Sequence, residues 1–432
     1  MTRMGQGKQA DHTRTIMKLR HATRHKHSVL SLVVIVAALG NFVDIYDLIL
    51  FSILKKHSMM DLGTKDADLL MESSKVLNAQ MVGMLLGGLL WGVLGDKRGR
   101  LAVLFGSILL YSTANFLNAY VQDVDQYVWC RFFAGLGLAG ELGTGITLVS
   151  ESLPREKRTT GIAIIAGMGA LGVTGAFLTY RLVKDWRLCY QIGGMLGIGL
   201  LALRFRVIES RLFVQLKAKH VPRGKLSMLF ADRRRLATYL LCVSAGLPNW
   251  LCTGILISQS DRFAKAIYGS DSLDVGKASM MAFSVAALGD LFVGLISQWL
   301  RSRKKAILLY FLVAILGMCI YFSPLVRSDL SMYIVCAFLG LHSGAWAVFI
   351  TLAAEQYGTN LRATASTSIP NMVRGSLPLM NLLFIQLFQV KWGWGIAPAG
   401  IATCVVVMSL AFTALHLLKE TYGRDLNYVE AE

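Results

Sequence analysis

Charged residues are scarce in this sequence. They make up 16% of its 432 residues, whereas hydrophobic residues make up 54% and the mean hydropathy is +0.53. An average soluble domain carries about 25% charged residues. The composition therefore excludes an ordinary soluble protein and predicts a polytopic membrane protein, because apolar runs of this length and number need a bilayer to cover them.

Motifs for enzymatic chemistry are missing as well. The sequence contains no H-E-x-x-H pair of metal ligands, no G-x-S-x-G nucleophile elbow and no P-loop. Its seven Cys lie mostly in apolar runs and form no C-x-x-C pair. We interpret them as small core residues rather than as disulfides or metal ligands. The prediction is a protein that is not an enzyme and has no cofactor and no metal site.

Acidic residues are fewer than basic residues. The chain has 26 Asp and Glu against 44 Lys and Arg, a formal net charge of +18. The basic residues lie between apolar runs, where the positive-inside rule accounts for them, so nucleic acid is not expected as a partner. The first 27 residues are polar and basic, and the apolar run after them is long enough to span. We therefore expect a cytoplasmic N-terminal segment rather than a cleaved signal peptide.

About twelve apolar runs are long enough to cross a bilayer as helices. They fall near residues 28–53, 76–95, 101–120, 127–150, 159–183, 188–207, 236–258, 275–300, 306–325, 331–353, 363–390 and 396–418. Lys and Arg concentrate in alternate connections, which include both chain ends and the longest loop. We predict an all-α membrane protein with twelve transmembrane helices in two pseudo-symmetric six-helix bundles and with both termini cytoplasmic.

The expected organisation has five parts. They are a cytoplasmic N-terminal segment (1–27), a first six-helix bundle (28–207), a basic cytoplasmic linker (208–235), a second bundle (236–418) and a cytoplasmic tail (419–432). Arg204, at the end of the sixth run, is grouped with the charges of the linker. That basic charge is interpreted as setting topology.

A repeated pattern indicates that the two bundles are related. Glu151 and Arg158 follow the fourth run, and Glu355 and Arg362 follow the tenth with the same spacing. The turn after the eighth run is a weaker copy of the turn after the second, with Gln298 in the place of an Asp. Duplicated halves suit alternating access, in which the halves rock around a site in the middle of the membrane.

The stretch from Gly83 to Arg100 is the most patterned part of the chain. Its glycines are spaced four apart, which lets another helix approach closely. It ends in the charged sequence Asp96-Lys-Arg-Gly99-Arg100, and a further apolar run follows at once. Glycine permits a sharp turn, so we predict a tight hairpin on the cytoplasmic side.

Four ionisable residues fall inside apolar runs of the first half. Asp44 and Asp47 share one helical face of the first run, and Arg131 and Glu141 lie in the fourth. At a rise of about 1.5 Å per residue, Arg131 and Asp47 lie at similar depth and are expected to pair, whereas Glu141 lies deeper. A charge at that depth is costly and is a functional candidate by default. The alternative is that these charges only hold helices together.

The second half places Asp290, His342 and Arg374 near the middle of the membrane. Arg374 is the expected ligand for a negative group of a substrate, because guanidinium binds carboxylate through two hydrogen bonds. Pro370 and Pro378 flank it, and proline kinks a helix. The alternatives are that Asp290 and Arg374 neutralise each other and that His342 only packs. Buried acids outnumber the arginines in this count, so the extra acids need a proton, a cation or the histidine to balance them.

The hairpin resembles the signature G-x-x-x-D-x-x-G-R of the major facilitator superfamily. Four residues match that signature by position: Gly92, Asp96, Gly99 and Arg100.

Further patterns resemble one subfamily, the metabolite:proton symporters. The first run is similar to G-N-x-x-E-W-x-D-F, with Asp44, Tyr46 and Asp47 after the Gly-Asn pair. The fourth run is similar to R-x-x-Q-G-x-x-x-G-G-E from Arg131 to Glu141, although an Ala replaces the Gln. The eleventh span is similar to an R…N…P run, carried by Arg362, Asn371 and Pro378.

The resemblance implies a proton-coupled symporter for small organic acids, amino acids or zwitterions, in a bacterial-type inner membrane. The expected partners are a small-molecule substrate, protons and the lipid bilayer, and a monomer is expected. Proton coupling is assigned to Asp44, Asp47, Arg131 and Glu141. Substrate binding is assigned to Tyr46, Asp290, His342, Asn371 and Arg374. Gating is assigned to Gly92, Asp96, Gly99, Arg100, Glu151, Arg158, Glu355 and Arg362. The open alternatives are a proton-coupled exporter, a transporter of a cationic solute or chelate, and a sensor that binds solute without moving it.

Overall fold

The computed structural model describes residues 32–153, 155–204 and 232–423, and all regular secondary structure in these ranges is helical. Predictions for 1–31, most of the linker and the last nine residues lie outside these ranges. The helices are α1 (Leu32–Asp61), α2 (Leu69–Arg98), α3 (Arg100–Asn118), α4 (Val124–Leu138), α5 (Glu141–Ser152), α6 (Arg155–Val183), α7 (Trp186–Arg204), α8 (Arg233–Leu251), α9 (Ser260–Tyr268), α10 (Val275–Trp299), α11 (Arg303–Tyr321), α12 (Asp329–Ser343), α13 (Trp346–Glu355), α14 (Thr359–Gly375), α15 (Leu377–Asn381) and α16 (Ile396–Leu417). Two π-helical segments, Cys252–Ile257 and Leu382–Lys391, continue α8 and α15.

Eleven helical segments of the described chain are long and apolar enough to cross a membrane. They coincide with eleven of the twelve predicted runs. The exception is the run predicted at 127–150, which is not among the eleven. Its helix stops at Leu138 and starts again at Glu141. The two pieces, α4 with 15 residues and α5 with 12, are each too short to cross alone.

One face of the bundle is where the linker leaves and re-enters it. We call it the linker face, since α7 ends there at Arg204 and α8 begins there at Arg233. Arg204 donates to the Leu104 carbonyl near the start of α3 at 2.6 Å. Tyr357, just after α13, donates to the Arg235 carbonyl at 3.3 Å. The start of α3 and the end of α13 therefore lie towards this face.

The other face carries the alternate connections. Arg187, at the start of α7, donates to the carbonyls of Ala119 and Val121 between α3 and α4, at 3.0 and 2.7 Å. It also lies 3.3 Å from Asp61 at the end of α1. We call this the opposite face. Helices α1 and α3 therefore end at this face, and α4 and α7 begin there.

The predicted hairpin is confirmed between α2 and α3. Gly99 alone joins the two helices, with φ of 103°, a conformation that favours glycine. The small-residue stripe of α2 faces α4, because a Cβ on Gly83 or Gly87 would collide with the carbonyl oxygens of Phe132 and Leu136. Close approach of these helices therefore depends on the glycines, as predicted.

Helices α1–α7 meet the later helices along two seams. One is formed by α6 and α10, and the other by α2 and α14 with α15. In the second seam, Asn381 donates to Asn78 at 2.7 Å. Towards the opposite face, the buried ammonium of Lys55 lies 2.7 Å from Gln259 Oε1 and 3.2 Å from Asp261 Oδ1. These polar contacts hold the two groups of helices together on that side.

Candidate transport site

Arg131 and Asp47 form a buried ion pair between α4 and α1. Nη1 of Arg131 lies 3.2 Å from Oδ1 of Asp47, and Nη2 donates to the side chain of Asn115 on α3. The guanidinium lies over the Tyr190 ring, 4.7 Å from its centroid. The Tyr190 hydroxyl is 2.8 Å from that of Tyr127. The pairing predicted from equal depth is confirmed, and aromatic rings separate it from the opposite face.

Glu141 is held by an arginine that was assigned to the linker charges. Nη1 and Nη2 of Arg204 lie 2.9 and 2.5 Å from its two carboxylate oxygens, which is the strong bidentate arrangement. Ser107 also donates to Oε1 at 2.7 Å. Both charged side chains are buried. Glu141 is therefore tied to α7 and α3 and lies away from Arg131.

Arg204 changes the charge balance inside the membrane. The expected surplus of buried acids was counted without this residue. The acids of α1 and α5 are matched in number by buried arginines: Asp44, Asp47 and Glu141 against Arg131, Arg204 and Arg374. Of the acids in the count made from the sequence, Asp290 is left without a matching arginine, so the expected surplus is reduced rather than removed.

Asp44 and Arg374 face each other from α1 and α14. Their charges interact, yet no ion-pair contact within 4.0 Å joins them in the described structure. Both carboxylate oxygens of Asp44 and Nε of Arg374 are buried without a hydrogen-bond partner. The residues are 0% and 3% exposed. Buried polar groups without partners cost free energy, so this open pair is suited to receive a ligand with complementary groups.

The alternative pairing of Arg374 with Asp290 is not found among the described residues. Asp290 instead accepts a hydrogen bond from the backbone N–H of Ala347, at the start of α13, at 3.3 Å. The opposing charge of Arg374 is Asp44. Equal depth in the membrane did not bring Asp290 and Arg374 together, because they point to different neighbours around the helix axes.

Asn371 lies one turn before Arg374 and reaches across to the first group of helices. Its Nδ2 donates to the carbonyls of Ala139 and Thr367 at 3.0 and 3.1 Å, and its Oδ1 is buried without a partner. Ala139 lies in the break between α4 and α5, where a helix end leaves carbonyls free. Gly88 permits the approach, since a Cβ there would lie 2.6 Å from that of Asn371.

The remaining predicted substrate ligands lie inside one group of helices each. The Tyr46 hydroxyl donates to the Cys189 carbonyl on α7 at 3.1 Å. Nδ1 of His342 is 2.9 Å from the Tyr310 carbonyl on α11, and its Nε2 has no partner. Like Asp290, these residues make hydrogen bonds to their own group of helices and not across the seam.

The predicted gating residues are only partly described. Gly99 makes the α2–α3 turn, whereas a Cβ on Gly92 would meet no described atom within 4 Å. Glu355 lies 3.6 Å from Nε of Arg303 and accepts a hydrogen bond from Thr421 at 2.6 Å. The other predicted gating side chains lie outside the described ones: Asp96, Arg100, Glu151, Arg158 and Arg362.

The chain is similar to known proteins in sequence and in fold. A sequence model of the Major Facilitator Superfamily matches residues 30–379. The niacin transporter NiaP of Acinetobacter baylyi is 26% identical over 322 residues, which cover 68% of this chain and 73% of that protein. The 3-(3-hydroxy-phenyl)propionate transporter of Escherichia coli is 28% identical over 319 residues, covering 68% and 72%. The crystal structure of a D-xylose-proton symporter shares the fold, with a TM-score of 0.68 at 14% identity over 92% of this chain and 100% of that one.

Proposed function

The chain belongs to the major facilitator superfamily and is a multi-pass membrane transporter of metabolites rather than an enzyme, and from that premise we propose that it moves a small anionic or zwitterionic metabolite by alternating access with proton symport. The single observation that carries the proposal is the open pair between Asp44 and Arg374. It combines α1 of the first group of helices with α14 of the second, and we assign it to the depth where such transporters place their sites.

The proposal includes a topology. The broken pair α4 and α5 supplies the crossing that is missing from the eleven, which gives twelve crossings in two bundles, 28–207 and 236–418. The linker face is cytoplasmic, because Lys and Arg accumulate on it. The charged gating residues lie in the first or last turns of helices at this face, and they are assigned to closing it when the opposite face opens: Asp96, Arg100, Glu151, Arg158 and Arg362.

Arg374 is assigned to the negative group of the substrate. Its guanidinium offers parallel donors to a carboxylate. Asn371, one turn away, has a free Oδ1 that accepts a donor from a zwitterion. The two relatives are named for niacin and for 3-(3-hydroxy-phenyl)propionate, and each of these compounds is a small carboxylic acid. These solutes define the first compounds to test.

Asp44 is assigned to the coupling proton. When a substrate anion takes over Arg374, Asp44 loses its countercharge. An unpaired carboxylate is heavily penalised in the membrane interior, so the cycle is favourable when Asp44 is then neutral. Binding of one anion is thereby linked to binding of one proton. In this scheme Asp47 and Glu141, held by arginines, take part when another state of the cycle opens their pairs.

The test is transport in proteoliposomes that contain the purified protein. Labelled nicotinate and 3-(3-hydroxyphenyl)propionate are supplied with and without an inside-alkaline pH gradient, beside an amino acid and a betaine. We expect accumulation only with the gradient. Asp44→Asn should keep counterflow exchange and lose accumulation. Arg374→Gln should lose both, and Arg374→Lys should recover little, because lysine cannot donate two parallel hydrogen bonds.

Arg181→Gln is the matched control, since this arginine is exposed at the end of α6 and lies 4.0 Å from Asp274. It should transport normally. Normal counterflow by Arg374→Gln would show that Arg374 does not bind the anionic group of the substrate. Accumulation that persists without a pH gradient would reject proton symport.

A further inference from the structure

Arg204 is a buried charge that enters the proposed cycle only as the partner of Glu141. It is the last residue of α7 and is 1% exposed. Its guanidinium spans two elements: both carboxylate oxygens of Glu141 on α5, at 2.9 and 2.5 Å, and the Leu104 carbonyl on α3, at 2.6 Å. The Nε of Arg204 has no hydrogen-bond partner, so the burial of this charge depends on the contacts of Nη1 and Nη2, and these contacts restrict where α5 can begin.

The start of α5 is fixed from a second direction. Gly140, in the break before Glu141, is enclosed, because a Cβ there would lie 2.7 Å from Ser107 and 3.0 Å from the Trp91 ring. The Trp91 indole donates to the Leu136 carbonyl at the end of α4 at 2.6 Å. The break is therefore held on both sides, by Trp91 before it and by Arg204 after it.

The break presents one group to the other half. The carbonyl of Ala139 accepts the 3.0 Å hydrogen bond from Asn371, one turn from Arg374. A shift of α5 would move that carbonyl. The Glu141–Arg204 pair also borders α1, because a Cβ on Gly40 would lie 2.7 Å from Nη2 of Arg204. Gly40 is one turn before Asp44, so the pair supports both sides of the open pair.

We propose that Arg204 is a positioning residue of the transport site: through Glu141 it fixes the break between α4 and α5, and thereby places the Ala139 carbonyl that receives Asn371 of the other half. The role rests on the proposed transport function, and it adds a residue that touches neither the substrate nor the proton carrier. Its effect should appear in the contact between the halves as well as in transport.

The test compares the wild type with four variants of the full chain. Arg204→Gln leaves Glu141 without a countercharge, Arg204→Lys keeps the charge but not the paired geometry, and the double variant Glu141→Gln with Arg204→Gln removes both charges. Arg187→Gln is the matched control. Arg187 lies on the same helix and holds one carboxylate and two backbone carbonyls, but it is only half-buried and lies at the opposite face.

Three measurements are made on each form. Thermal unfolding reports the cost of an unpaired charge. Hydrogen exchange of residues 136–146 and 364–375, without any solute, reports the break and its contact with Asn371. Counterflow of a transported solute reports function. We expect Arg204→Gln to lose stability and to slow counterflow about tenfold or more, the effect of losing a charge-assisted pair of hydrogen bonds.

The double variant separates positioning from bulk stability. With no unpaired charge, the double variant should unfold close to the temperature of the wild type. Its two segments should still exchange faster and its counterflow should still be slow, because the shorter glutamine side chain at position 204 cannot contact both residue 141 and the Leu104 carbonyl. Arg204→Lys should have a counterflow rate between those of the wild type and Arg204→Gln. A double variant that matches the wild type in exchange and counterflow would overturn the proposal. If no tested solute is transported even by the wild type, the transport assignment fails, while the exchange measurements still decide the role of Arg204.

Discussion

The chain contains two interrupted helices at corresponding places, and they are held by different chemistry. The first stops at Leu138 and resumes at Glu141, and the second stops at Ser343 and resumes at Trp346. Their ends are 205 residues apart, from 343 − 138. The repeated Glu151 and Glu355 are 204 apart, from 355 − 151. The same backbone feature therefore recurs at the same place in the repeat.

The first break is charged and is shared between the two halves. Its Glu141 is bound by Arg204, and its Ala139 carbonyl receives Asn371 from α14. The second break is uncharged apart from one carboxylate and is contained in its own half. There Asp290 accepts from the Ala347 N–H. The backbone break is thus present in both halves, but of the two breaks it is the first that has a polar contact with the other half.

That second break has its own neutral contacts. The Tyr310 hydroxyl donates to the Gly289 carbonyl at 2.9 Å, and the Tyr310 carbonyl contacts Nδ1 of His342 at 2.9 Å. All three residues belong to α10, α11 and α12. A perturbation here should therefore remain in the second half, whereas a perturbation at the first break should reach across the seam.

The largest expected difference is in stability. Glu141→Ala leaves Arg204 buried without its carboxylate, and removal of one partner of a buried pair costs about 3–5 kcal/mol. Asp290→Ala removes the acceptor of one backbone N–H, which costs about 1–3 kcal/mol. Apparent unfolding temperatures measured in one detergent should therefore fall much further for Glu141→Ala.

Asp271→Ala is the control for that comparison, since Asp271 lies 2.9 Å from Lys265 in an exposed ion pair. It should change stability little, because an exposed ion pair is screened by water. Equal losses for Glu141→Ala and Asp290→Ala would show that the two breaks are held equally strongly.

A smaller difference concerns where a lost hydrogen bond is felt. Asn371→Ala and Tyr310→Phe each remove a neutral hydrogen bond that contributes about 0.5–1.5 kcal/mol. Asn371→Ala should speed hydrogen exchange in both α14 and the start of α5, because the bond crosses the seam. Tyr310→Phe should speed exchange only in α10, α11 and α12. Faster exchange of α5 in Tyr310→Phe would mean that the second break is also coupled to the seam.

Counting along the sequence predicted the contacts that depend on depth. Asp47 and Arg131 were placed at one level from the rise per residue, and they pair. The glycine spacing of α2 predicted close packing, and Gly83 and Gly87 lie against α4. The eleven long helices were located by their apolar length. Each of these features depends only on distance along the chain, so it can be predicted from a single sequence.

Contacts that depend on direction around a helix axis could not be predicted in this way. Asp290 and Arg374 share a depth, yet Arg374 faces Asp44 in the other half. Arg204 was hidden among the charges of the linker. One signal could have shown it, because Gly193, Gly197 and Arg204 recur at helical spacing on one buried face of α7. A charge that continues a stripe of small buried residues points inward.

The two halves also differ at their turns on the linker face. The first turn carries Asp96, whereas the second has Gln298 at that place. In the second half, the carboxylate at this turn belongs to Glu420, just after α16. It accepts hydrogen bonds from the Ser302 hydroxyl and from the backbone N–H groups of Arg303 and Lys304, the latter two at 2.9 and 3.1 Å. It therefore caps the N-terminus of α11, where a negative charge is favourable.

The smallest expected effect is the loss of this cap. Partial burial raises the pKa of Glu420, but the hydrogen bonds from Ser302 and from nearby backbone N–H groups outweigh it and lower the pKa from 4.5 to about 2. A carboxyl group whose pKa is lower in the folded state stabilises the protein above pH 4.5, and the contribution is lost as the pH falls towards 2. Because the group is partly exposed, Glu420→Gln should cost only about 1 kcal/mol at pH 7. The difference in unfolding temperature from the wild type should shrink as the pH is lowered from 6 to 3.5. Glu72→Gln, which removes an exposed carboxylate 2.6 Å from Lys75, should show a smaller difference at pH 7. A Glu420→Gln difference that stays constant with pH would mean that the carboxylate charge does not stabilise this turn, and that the second half has no replacement for the acid of the first.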